Sequence, residues 1–326
     1  MVYKRGAYFK GLAVCPASDC LALSEWPSTI HVYHLLSLPL PDRLSPQFRT
    51  SPREWTPAYS WQLPTGLVTS GPMAFTPDGV LLATVTAMED ATAPGQTQVV
   101  AINVVDKVIV SVLWTQPKPP DGYGLGKGLS VSDVTTWGTL VAVAVTAPRL
   151  GDGFVQLYAR VASCASSAST SPISPPTVWA PTQVLAQEAE AVRFSPCGSQ
   201  VVCASGQSLR FCGVGDGAVK AELKLGPDGP YGVHTLEMYM GTWLVADVSG
   251  CMCVVTASAA EPGEWRYDRI THGTRPKALA SVPGVGVFVL NLSESVVLLR
   301  PSAKEETETE TETETETETG PAPAPE

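Results

Sequence analysis

Apolar and polar positions along the chain repeat as one unit: a short apolar strand, a Pro/Gly/Asp turn, a second apolar strand, a tight polar turn and a third strand. The clearest copies are GLAVCPASDCLALSEWPSTIHVYHL from Gly11, MAFTPDGVLLATV from Met73, AVRFSPCGSQVVCASGQSLRFCGV from Ala191 and LASVPGVGVFVLNLSESVVLLR from Leu279. The runs are rich in Val, Leu, Phe and Tyr, are bounded by Gly, Pro, Asp and Ser, and show no sustained helical period. Self-similarity every few tens of residues with strand and turn signals predicts an all-β fold, a six-bladed β-propeller.

Inner strands A are predicted at Leu12 to Val14, Met73 to Phe75, Leu129 to Val134, Ala191 to Phe194, Thr235 to Tyr239 and Ala278 to Ser281. Each is followed by strands B and C. Outer strands D are predicted at Tyr59 to Leu63, Val108 to Trp114, Thr182 to Ala186, Val219 to Leu225 and Trp265 to Ile270, which leaves the last unit one short. Val2 to Phe9, with its Tyr and Phe residues, is expected to fill that place, so that an N-terminal strand closes the ring and covers an edge open to aggregation. A weak unit hidden in Leu36 to Trp61 or Ser163 to Ala186 would raise the count to seven. The stretches Leu38 to Pro57, Glu89 to Thr97, Gln116 to Lys127 and Ser163 to Pro181 read as surface loops.

Two domains follow: a propeller over 1–300 and a tail over 301–326. Lys304 to Thr319 is built of Glu and Thr and leads into a Pro/Ala stretch, a composition that predicts disorder. From Pro301 onward nine glutamates face one lysine, so this segment carries −8 of the formal −10 and the body about −2. A nearly neutral body without clustered Lys/Arg argues against nucleic acid. The longest apolar run, Leu140 to Val145, is too short to span a bilayer. The basic N-terminus lacks an uninterrupted signal-length apolar run. An intracellular, cytoplasmic protein without membrane attachment is expected, and a monomer. Cysteines within strands read as reduced core thiols, not as metal ligands.

The units resemble NHL-type and YVTN-like propeller repeats: apolar strand, P-x-G or D-G turn, apolar strand ending in a small polar residue, then V-x-V/L-F. Ala191 to Val214 and Gly11 to Leu35 carry the resemblance. WD40 repeats are a weaker match, because the Gly-His and Trp-Asp dipeptides are missing at the expected places. The resemblance implies a non-catalytic protein-interaction scaffold with a protein or peptide partner and no cofactor.

Residues entering the A strands should ring one mouth of the central channel. Lys10, Lys127, Glu190, His234, Arg275 and Lys277 are therefore the candidate ligand or partner residues, and their mostly basic character suits an anionic ligand or acidic peptide. Ordinary solvated loop charge is the competing reading of the same residues. Trp55 and Trp179, read as exposed on loops, are candidate partner aromatics. The alternative function is a lactonase- or esterase-like six-bladed hydrolase, or a small-ligand binder, using the central mouth. Such hydrolases hold a divalent cation on Glu, Asn and Asp. Asp133, Glu190 and Glu237 are the available oxygen ligands, with no asparagine among them, so no catalytic or metal residue is assigned.

Overall fold

The computed structural model of the chain describes residues 8–38, 47–50, 55–88, 94–117, 129–147, 153–161, 178–185, 188–225, 232–247, 249–257, 265–271, 276–283, 285–291 and 295–299. These form six four-stranded antiparallel sheets, the blades of a β-propeller. Blade 1 uses β1 (Phe9–Cys15), β2 (Cys20–Glu25), β3 (Thr29–His34) and, after β4 (Gln47–Thr50) has left for another sheet, β5 (Tyr59–Gln62). Blade 2 holds β6 (Leu67–Phe75), β7 (Val80–Met88), β8 (Pro94–Asn103) and β9 (Val108–Thr115). Blade 3 holds β10 (Ser130–Trp137), β11 (Leu140–Thr146), β12 (Phe154–Val161) and β13 (Val178–Leu185). Blade 4 holds β14 (Ala191–Phe194), β15 (Gln200–Ser205), β16 (Ser208–Gly213) and β17 (Val219–Lys224). Blade 5 holds β18 (Val233–Tyr239), β19 (Thr242–Asp247), β20 (Cys251–Ala257) and β21 (Trp265–Thr271). Blade 6 is β22 (Pro276–Val282), β23 (Gly286–Asn291), β24 (Val296–Leu299) and the returning β4.

Turn chemistry sets the inner hairpins. In Thr76-Pro77-Asp78-Gly79, Gly79 N–H donates to the Thr76 carbonyl (3.0 Å) and Val80 N–H to Thr76 Oγ1 (3.0 Å). Ser195-Pro196-Cys197-Gly198 repeats both bonds, Gly198 N–H to the Ser195 carbonyl (2.9 Å) and Gln200 N–H to Ser195 Oγ (3.2 Å). Proline presets φ and the hydroxyl caps the turn. Glycine takes the positive φ, 85° at Gly79 and 68° at Gly198.

Six apolar clusters fill the seams between successive blades. The seam between blades 2 and 3, for example, packs Leu82, Val99, Ala101 and Trp114 against Val134, Val141, Val143 and Tyr158. The seam between blades 6 and 1 packs Phe288, Leu290, Val296 and Leu298 against Leu12, Leu21, Leu23 and Tyr33. The inner strands neighbour one another in a closed cycle: β1, β6, β10, β14, β18, β22 and back to β1. Each blade thereby buries both of its faces, which no blade could do alone.

The closing strand is not the one expected from the sequence. β4 pairs antiparallel with β24, with Thr50 opposite Val296 and Gln47 opposite Leu299, so the open edge of the last blade is covered by the insertion of blade 1. Phe9, expected in the closing strand, begins the inner strand of blade 1, and residues 1–7 lie outside the described set. The physical purpose is unchanged: an edge is paired and the two ends of the ring are tied. Two reputed loops are also shorter than expected, since β8 begins at Pro94 and β13 at Val178. Among the described residues, no helix is long and apolar enough to cross a membrane. Residues 301–326 lie outside the described set.

Candidate functional site

The six inner strands run the same way along the axis and line two cavities that meet at a waist. Their first residues, among them Lys10, Ser70, Ser132, His234 and Lys277, line an upper cavity of about 270 Å³. Their later residues, among them Cys15, Phe75, Thr136, Glu237 and Ser281, line a lower cavity of about 410 Å³. Leu12, Met73, Arg193 and Leu279 line both.

Arg193 of β14 governs the waist. Its Nη1 donates to Asp133 Oδ2 of β10 (2.6 Å) and its Nε to Glu237 Oε2 of β18 (2.9 Å). Ser281 Oγ of β22 donates to the other Glu237 oxygen (2.9 Å), and the Val192 N–H to Asp133 Oδ2 (2.9 Å). A chain of charge-assisted hydrogen bonds thus links four consecutive blades through their inner strands. Burial pushes the Asp133 carboxyl up, against the pull of Arg193 and the backbone N–H groups of Val192 and Val134. Burial also opposes the Arg193 charge, but Asp133 and Glu237 override it and hold the guanidinium above its ordinary value. Two of the three carboxylates considered as cation ligands therefore face a fixed cation of the protein itself.

At the upper mouth, Tyr8 stacks on Trp26, with ring centres 5.5 Å apart and an interplanar angle of 17°. Lys10 Nζ lies 4.8 Å and Lys277 Nζ 5.4 Å from the Tyr8 ring centre, and Lys277 also donates to the Phe9 carbonyl. Two ammonium groups from adjacent blades so converge on one aromatic ring, each gaining from its π-face. His234 Nε2 donates to the Pro276 carbonyl (2.7 Å), which ties β18 to β22 and leaves the proton on Nε2. Its Nδ1 is buried without a hydrogen-bond partner, and burial lowers its affinity for a second proton.

Of the residues expected at the mouth, Lys10, His234 and Lys277 line the upper cavity. Glu190 precedes β14 and does not line it; burial first, and Glu188 second, push its carboxyl up. Lys127 and Arg275 lie outside the described residues. Trp55 and Trp179 are not the exposed loop aromatics that the sequence suggested. Trp55 is 5% exposed and meets Tyr33 edge to face at 5.4 Å, in the seam between blades 6 and 1. Trp179 is 8% exposed on β13, in the seam between blades 2 and 3. Burying a large ring in a seam gains more than exposing it on a loop. Arg193, the hub of the waist, was missed by the sequence reading. Its signal was a charge in the middle of an otherwise apolar inner strand, AVRF, matched by the charges in VSDVT and TLEMY.

No family model matches the chain, and no curated protein does. Among solved structures, a chain in the crystal structure of the mitotic checkpoint complex is similar with a TM-score of 0.50 and 9% sequence identity, over 90% of this chain and 91% of that one. At that identity the likeness is one of fold.

Proposed function

We propose that this protein is a non-catalytic interaction scaffold that presents the upper channel mouth to a protein or peptide partner. The observation that carries this reading is the convergence of Lys10 and Lys277 on Tyr8 at the rim of a cavity whose floor is lined by Arg193 and its ion relay. A hydrolytic cation site would need Asp133 and Glu237 free to bind metal, and Arg193 holds both. The mouth instead offers two ammonium groups, an aromatic platform and cross-blade rigidity, which is what recognition of an anionic partner surface requires. The fold is also that of a chain from a multiprotein complex, which is in keeping with protein partners. Within the propellers we group the blades with NHL-like and YVTN-like repeats, on the recurring Ser/Thr-Pro-x-Gly turn at Thr76 to Gly79 and Ser195 to Gly198.

The test is affinity capture by the immobilised native chain and by its Lys10→Glu/Lys277→Glu variant, with circular dichroism confirming that both fold. A partner held by the native chain and lost by the variant supports the reading. Ester hydrolysis that needs a divalent cation and vanishes in Glu237→Gln would overturn it.

A further inference from the structure

We infer that β9 is an interaction edge, and that its occupant is β9 of a second copy of this chain, paired antiparallel across a two-fold axis at Ser111. β9, VIVSVLWT, is the outermost strand of blade 2, and among the described residues it pairs with β8 alone. Its outer edge therefore presents a row of backbone N–H and C=O groups, which is a template for another strand. Val108 is 47% and Val112 51% exposed along it, with Ile109, Val110 and Leu113 half-buried. The pairing makes the chain a dimer, not the monomer expected from its sequence.

The other outer strands are guarded in the ways that keep sheet edges from pairing: shortness, proline and charge. β4 and β5 have four residues each, Pro181 interrupts β13, and β17 and β21 carry charges along their sequences, VKAELK and WRYDRIT. β9 runs for eight residues with neither a charge nor a proline. Of the six blades, blade 2 thus has the outer edge most open to a further strand.

The strand is also complementary to itself. Its apolar pattern is close to a palindrome about Ser111, so antiparallel self-pairing sets Val110 opposite Val112, Ile109 opposite Leu113 and Val108 opposite Trp114, each pair joining the two copies. Apolar cross-strand pairs of this kind favour pairing. Lys107, the charge next to the strand, falls opposite Thr115 and away from its own counterpart, and its Nζ rests 5.9 Å from the Tyr59 ring centre. Twist narrows the choice of occupant further. Val110 and Leu113 have no β8 residue opposite them, so β9 carries two bulges. Bulges increase the local twist and set an edge against flat stacking, whereas an identical strand is twisted by the same amount. A two-fold axis uses each β9 once, so association closes at two copies.

Sedimentation equilibrium of the full chain tests this, with circular dichroism confirming that each variant folds. One strand on each side makes a small interface, so a monomer–dimer equilibrium in the micromolar range is expected. Val112→Lys places an ammonium group at an exposed position and, across the two-fold, sets two of them at diagonal sites, so its dissociation constant should rise at least tenfold. Val108→Lys, at the end of the strand, should weaken the dimer in the same direction. Val184→Lys, an equally exposed valine on β13, should leave it unchanged. Amide exchange of the peptide covering 108–115 should slow as the native concentration is raised. A native chain that stays monomeric through the micromolar range, dimers that persist unweakened in both β9 variants, or species that grow beyond two copies would each overturn the proposal. Equal weakening by Val184→Lys would place the contact on blade 3 and overturn it as well.

Discussion

Arg193 Nη1 and Asp133 Oδ2 stand 2.6 Å apart across the junction of blades 4 and 3, at the waist of the channel. Removing the cation leaves Asp133 and Glu237 without it in a site where their side chains are only 10% and 14% exposed. Arg193→Met is expected to cost about 3–5 kcal/mol, the usual penalty for breaking a buried pair by removing one partner. Urea unfolding measures it, and a loss below about 1 kcal/mol, as at a surface pair, would show that the relay is not a structural girdle.

The closing strand gives a second expectation. Deleting Gln47–Thr50 removes the fourth strand of blade 6 and its pairing with β24. With about four backbone bonds at about 0.5–1.5 kcal/mol each, stability should drop by roughly 2–6 kcal/mol. Deleting residues 1–7 leaves that pairing in place, so its thermal midpoint should stay closer to native than that of the 47–50 deletion. The reverse order would restore the N-terminal closure that the sequence suggested.

His234 gives the fold a sensitivity to acid. Burial holds its folded pKa below the ordinary 6.5, so just below that pH the unfolded chain binds more protons than the folded one. Stability should therefore fall as pH drops from 6.5 toward the folded pKa, and His234→Gln, which can still donate to the Pro276 carbonyl, should flatten that part of the profile. Chemical unfolding at a series of pH values reads the slope. Equal slopes in both proteins would remove His234 as the cause.

Cys197 is exposed on the inner turn of blade 4, and hydrogen bonds from the hydroxyls of Ser195 (3.4 Å) and Ser199 (2.9 Å) bring its pKa down to about 7. The thiolate is the nucleophile, so alkylation by iodoacetamide should rise through pH 7, below the usual range of a free thiol near 8.5. Ser199→Ala should move the midpoint upward. Peptide mass mapping of the alkylated chain follows Cys197 alone, and an unshifted midpoint in the variant would discard the hydroxyl effect.

Most of the propeller was legible in the sequence because its inner strands and their turns carry strong local signals. Ala191–Phe194 and Phe154–Val161 fall where the apolar pattern put them, and the two Ser/Thr-Pro-x-Gly turns mark their hairpins in one dimension. β4 was not legible: Gln47–Thr50 has one apolar residue in a proline-rich stretch, and its pairing with β24 joins residues some 250 positions apart. The positions of Trp55 and Trp179 were misread for the same reason, because seam packing is decided by neighbouring blades and not by the local sequence. At the mouth, Lys10, His234 and Lys277 followed from their place at the starts of inner strands. Whether two carboxylates bind metal or a guanidinium depends on which residues of neighbouring inner strands stand at the same height, and strand alternation cannot give that.

Amide hydrogen exchange of the native chain, alone and with its captured partner, tests the docking role of the mouth most directly. Slowed exchange is expected in peptides covering 8–12, 70–73 and 276–279, with β9 and β17 at the outer rim unchanged. Protection confined to the outer strands, with the three mouth segments exchanging as in the free chain, would contradict the account.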